Sequence, residues 1–242
     1  MSDDVAEARA RRDAAGDVGA DAPARSGAIA TGGDRVTLHS LATRALPADA
    51  LCGLDEDSPD CASVDRLALA IEASGCGSAA AHRTAILRAI GEHLRATYTD
   101  AREALRYLAT LDRRLAVWGA CACAREVLRF VPEGEERPRL AIEAIERWLA
   151  GQAKLDEVSA ARRSAWAAWT DDYVYAASAA HAAVHAAHAA HAADTAADAA
   201  AASSVSAKNW GTLDWGSARN AELARLVGVI ADALPGLPEE TA

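Results

Sequence analysis

Large hydrophobic residues other than leucine are scarce in this chain: 242 residues include one Phe, one Met and four Tyr, and much of the 51% hydrophobic content is alanine. Pleated sheets are built from β-branched and aromatic side chains, so a β-rich fold is excluded. Alanine is the best helix former, and what remains is an all-α class. Lysine is nearly missing as well, found only at Lys154 and Lys208. With 25 Lys+Arg against 35 Asp+Glu the formal charge is −10, and phosphate-backbone binding needs clustered cations, so nucleic acid is not expected as a direct partner. An acidic exterior suits a basic protein instead.

Five cysteines, Cys52, Cys61, Cys76, Cys121 and Cys123, show no C-x-x-C spacing, which indicates neither a disulfide framework nor a zinc finger. The opening Met1-Ser-Asp-Asp-Val-Ala-Glu lacks the apolar core of a secretory signal, and the Ala-rich segments carry His and Asp. No uninterrupted apolar run could span a bilayer, so the expected compartment is a reducing cytoplasm. A Gly-rich phosphate loop, G-x-S-x-G, H-E-x-x-H and a Ser/His/Asp set are all missing. No catalytic constellation is recognised, and an enzyme is not expected.

The most legible stretch runs from Arg137 to Gly151. Pro138 has its φ fixed near the helical value and lacks the N–H that a first helical turn would orphan anyway. Leu140, Ile142, Ile145, Trp148 and Leu149 recur at three- and four-residue spacings, which predicts one apolar stripe, and Gly151 ends the helix. Upstream, Ser63 opens a helix that Gly75-Cys-Gly77 closes. Further helices are predicted from Ser78 to about Thr97, from Thr99 to Thr110, and from a capping start at Thr110-Leu-Asp112 to Phe130. The run from Leu155 to Ser203 lacks Pro and Gly, and as one rod it would reach roughly 70 Å, so a break is expected near Thr170-Asp-Asp172 or Asp194-Thr195. Asn209-Trp-Gly211 and Trp215-Gly216 read as a loop, and Asn220 to Leu234 as a last helix.

These elements predict a disordered tail over 1–34, a short element and acidic loop over 35–62, an all-helical domain over 63–236, and a tail over 237–242. Short connections favour an antiparallel helical array or bundle.

Four groups of residues invite a chemical reading. His181, His185, His188 and His191 fall within an arc of roughly 120° on one helix, and neutral imidazoles so spaced can chelate zinc or another divalent transition metal. Asp194 and Asp198 point away from that arc, so the stripe reads first as a packed interface, with a metal site at His181, His185 and His188 as the alternative. Cys121 and Cys123 lie two apart and so point in nearly opposite directions, as small apolar packers do. Trp166, Trp169 and Tyr173 follow helical spacing and read as core, whereas Trp210 and Trp215, in a glycine-containing stretch, suit contact with a partner. Asp171 and Asp172 are the candidates for electrostatic steering.

Leu111-Asp-Arg-Arg-Leu115 leads into Trp118-Gly-Ala-Cys121-Ala, then Val127-Leu128 and Pro132, then Arg137-Pro-Arg139, Ala141-Ile-Glu143-Ala, Arg147-Trp148 and Gly151. In that order the blocks resemble the immunity proteins of bacterial polymorphic toxin systems, the immunity-five-like group, over about residues 105–195. The downstream His181-x-x-x-His185-Ala186 is similar to that group too, although Ala120 stands where its members usually carry an acidic residue. The resemblance implies a cytoplasmic helical protein that binds and neutralises a cognate toxin, with Trp118, Cys121, Arg137, Pro138, Arg139, Glu143 and Trp148 as the residues that carry the likeness. The competing expectation is a metal-binding helical protein or metalloenzyme using the histidine stripe.

Overall fold

The structure, a computed structural model, describes residues 36–51, 54–167, 197, 200–201 and 215–239. Among them are eight α-helices and no strand: α1 (Leu38–Ala45), α2 (Val64–Ala73), α3 (Ala79–Thr97), α4 (Ala101–Leu111), α5 (Arg113–Val127), α6 (Arg137–Leu149), α7 (Leu155–Ala167) and α8 (Trp215–Ala233). Short 3-10 turns sit at Pro59–Ala62, Leu128–Phe130 and Leu234–Gly236. The protein is an all-α helical array. No helix among the described residues is long and apolar enough to cross a membrane.

Short polar side chains start these helices by accepting backbone N–H groups that the first turn would otherwise orphan. Ser63 accepts from Arg66, Ser78 from Ala81, Asp100 from Arg102 and Asp112 from Arg114, while Thr37 and Ser40 form a reciprocal capping box. At the end of α6, Gly151 takes φ +69° and donates its N–H to Trp148 O at 3.0 Å. That left-handed residue turns the chain back into α7.

The centre of the array is α5, which packs against α4, α6 and α8. A helix surrounded on several sides needs apolar residues all round it. Here Leu115, Ala116, Val117, Ala120, Cys121, Cys123, Ala124 and Val127 are all buried. Because most of them are small, neighbouring helices come close: a Cβ on Gly119 would meet Leu105 Cδ2 at 2.7 Å and Ile230 Cγ2 at 3.0 Å. The same holds between α3 and α8, where a Cβ on Gly91 would stand 3.0 Å from the carbonyl oxygen of Ala231.

The structure changes three expectations. Leu140 is not on the buried stripe of α6 but 47% exposed. At about 100° per residue it lies some 160° from Ile142, so it cannot share that residue's face. The stripe is instead Pro138, Ala141, Ile142, Ile145 and Leu149. Trp166, expected in the core, is 48% exposed on the last turn of α7. Finally, α8 begins at Trp215 rather than near Asn220. A glycine in the first turn weakens a helix by about 1 kcal/mol without stopping it, and the residues from Ser217 on present no proline before the helix ends.

Candidate functional site

A largely buried ion-pair cluster centres on Asp65, in the first turn of α2. Its Oδ1 accepts from Arg83 Nε of α3 and its Oδ2 from Arg114 Nη1 of α5, each at 2.5 Å. Arg83 Nη2 goes on to the carbonyl oxygens of Leu237 at 2.6 Å and Pro238 at 3.0 Å. Arg114 Nη2 reaches Leu149 O at 2.9 Å, at the end of α6, and Pro238 O at 2.7 Å. Trp118, one turn along α5, donates Nε1–H to Ala233 O at 2.7 Å, and its ring lies 3.6 Å from where a Cβ on Gly236 would stand. Two of the acceptors, Leu149 O and Ala233 O, belong to the last residues of α6 and α8, where a helix end leaves carbonyls without α-helical partners. One largely buried carboxylate with its two arginines thus joins α2, α3, α5, the end of α6 and the segment after α8.

Around this hub the charged residues also cross between helices. Arg125 Nε and Nη2 grip Glu146 across α5 and α6 at 2.6 and 2.5 Å. Arg225 of α8 pairs with Glu126 of α5 at 2.8 Å and with Glu222. His82 is an exception: 6% exposed, its Nε2 has no hydrogen-bond partner among the described residues.

The residues that carried the family likeness have structural work. Trp118 holds the end of α8, and Cys121 is buried. Pro138 is buried in the first turn of α6, and Trp148 packs partly buried against the core. Arg137 pairs with Glu135, whose carboxyl it holds below the ordinary range, and Arg139 bridges Glu143 at 2.5 Å and Glu136 at 3.1 Å. Cys123 is buried on the other side of α5, and burial pushes its thiol up to about 12; Cys121 is pushed up too, again by burial. Groups so protonated are poor nucleophiles and poor metal ligands.

Among the described residues, an open groove of about 910 Å³ lies between α6 and α7. Leu140, Ala144, Ala160 and Ala161 form its apolar part, and Glu143, Glu146, Arg147 and Glu157 stand around it. Leu140 faces this groove, which explains its exposure.

His181, His185, His188, Asp171, Asp172 and Trp210 lie outside the described residues, and so does the side chain of Trp215, whose backbone opens α8. The described residues contain no group of three or more His, Cys, Asp or Glu placed to hold a metal ion. The hub itself was not foreseen. Arg83 shares the face of Ile86, Leu87, Ile90 and Leu94, and a cation on an apolar stripe is the signal that marks a buried ion pair.

Residues 106–223 match a family model described as "Imm-5 like putative immunity protein". The match begins in α4 and ends in α8, so it takes in Arg114, Trp118, the Arg137-Pro-Arg139 block and both walls of the groove. That stretch is similar to the immunity-protein family that its tryptophan–cysteine and Arg-Pro-Arg blocks resemble. Comparisons with curated proteins and with solved structures found no significant match.

Proposed function

We propose, taking the Imm-5-like region 106–223 as the premise, that this protein binds a cognate bacterial toxin and silences it by covering its active surface. The match carries the reading. What supports it in the fold is how the buried and half-buried polar groups are used: Asp65, Arg83, Arg114 and Trp118 are engaged in joining helices and chain segments. Occlusion asks only for a rigid, complementary exterior. A chain of net charge −10 is suited to a basic toxin such as a nuclease, in the cytoplasm where that toxin would act.

The test is co-expression. The protein encoded immediately upstream is produced from an inducible promoter, with or without this chain. Growth arrest relieved only by this chain supports the reading; arrest that persists at equal toxin level contradicts it. The electrostatic part has its own readout. Charge reversal at Asp171 and Asp172 is expected to slow association and flatten its salt dependence, and an unchanged on-rate would remove those two residues from the docking face.

A further inference from the structure

Two features of the α6–α7 groove determine what could fill it. Its apolar floor is built mainly from small residues, Ala144, Ala160 and Ala161, beside a half-exposed Leu140. Alanine floors let a backbone approach closely, and the occupant then supplies the bulk. Consecutive helices joined by the short turn Ala150–Lys154 leave a furrow that a third helix can enter by ordinary ridge-into-groove packing.

The second feature is charge. Near the groove, Arg139 is matched by Glu143, Arg125 by Glu146 and Arg137 by Glu135. Arg147 is different: it is exposed at the groove and has no side-chain ion pair or hydrogen bond among the described residues. On the opposite wall the exposed Glu157 carboxylate accepts, among the described residues, only the Lys154 backbone N–H, at 3.1 Å. One wall therefore offers an unmatched cation and the other an available anion.

We propose that this groove is the toxin-docking surface, and that it takes an amphipathic helix of the toxin. Such a helix lays bulky apolar side chains over Ala160, Ala161 and Leu140, sets a carboxylate against Arg147 and turns a cation toward Glu157. The two charges, on opposite walls, fix which way the helix lies. The inference rests on the immunity reading above and names its surface.

The test is a set of titrations with the upstream-encoded toxin domain, inactivated in its own active site. Ala160→Trp fills the groove from an exposed position and Arg147→Glu reverses its unmatched charge; Arg88→Glu, exposed on α3, is the control. Circular dichroism and thermal unfolding of each variant are compared with the unaltered protein. The expected result is a Kd raised about tenfold or more by each groove variant, the loss typical of a central contact, with Arg88→Glu within about twofold. If the unaltered protein binds and both groove variants bind equally well, the docking surface is elsewhere and the immunity reading stands. If the unaltered protein does not bind, the immunity reading falls and the docking proposal with it. A dimer that Ala160→Trp breaks without weakening toxin binding would make the groove a self-association face and overturn the proposal.

Discussion

Arg114 and Pro238, 124 positions apart in sequence, are joined by a hydrogen bond of 2.7 Å from the guanidinium Nη2 to the carbonyl oxygen. The same nitrogen reaches Leu149 O, and its sister nitrogen holds Asp65. Removing the shared anion would strand two cations whose side chains are only 9% and 14% exposed. Asp65→Asn is therefore expected to lower stability by about 3–5 kcal/mol, the cost of breaking a buried pair from one side. Urea unfolding measures it; a loss below about 1 kcal/mol would mean that the carbonyls alone hold the arginines.

Two glycines should respond to alanine with opposite signs. Alanine is favoured over glycine within a helix by about 1 kcal/mol. A methyl group on Gly228 would meet nothing within 4 Å, so Gly228→Ala is expected to stabilise by up to about 1 kcal/mol. At Gly91 the methyl would press on the Ala231 carbonyl, part of a helix backbone that cannot give locally. Gly91→Ala is expected to destabilise by about 1–3 kcal/mol, and thermal unfolding of the two variants side by side checks the pair.

The cap of α5 should have a pH signature. Burial pushes the Asp112 carboxyl up; the negative charge of Asp65 adds to this, while Arg114 and two backbone N–H bonds work against it. A carboxyl raised on folding contributes stability that is present below its unfolded value, near 4, and is lost as pH rises through the raised one. Asp112→Asn keeps a good cap and never ionises. The stability of wild type minus that of Asp112→Asn should then fall as pH rises from about 4. Thermal unfolding across the acid range measures this difference, and one that grows with pH would contradict the buried setting of Asp112.

Thiol chemistry should separate the cysteines by place. Cys121 and Cys123 are buried and held protonated, whereas Cys61 and Cys76 are half-buried. In native protein at neutral pH, alkylation read site by site by mass spectrometry should reach Cys76 and Cys61 first. Cys121 and Cys123 should react only at the rate of global unfolding. Rapid native labelling at either would place α5 nearer the surface than this fold does.

Helix class and many helix starts were legible because capping is local: Ser63, Ser78 and Asp112 signal their role within four residues. The family blocks were legible for a related reason, since Trp118 and the Arg137-Pro-Arg139 stretch are short and ordered in sequence. Leu140 was misread because three- and four-residue spacings can be chained through residues that sit on opposite faces. Of the Asp65–Arg83–Arg114 hub, only Arg83, a cation on an apolar stripe, carries a mark in the sequence. The hub's members stand 18 and 49 residues from Asp65, and its acceptors include the carbonyls of Leu149, Leu237 and Pro238, which carry no mark of type in a sequence. The groove was hidden likewise, because it exists only where α6 and α7 meet.

The most direct test of neutralisation by occlusion is a titration of toxin activity against this protein at concentrations far above the Kd. Occlusion predicts activity falling in a straight line to zero at one equivalent, with intact toxin recovered when the complex is dissociated. Complete loss of activity at a small fraction of an equivalent, with toxin that stays inactive or is altered in mass, would mean catalytic turnover and contradict it.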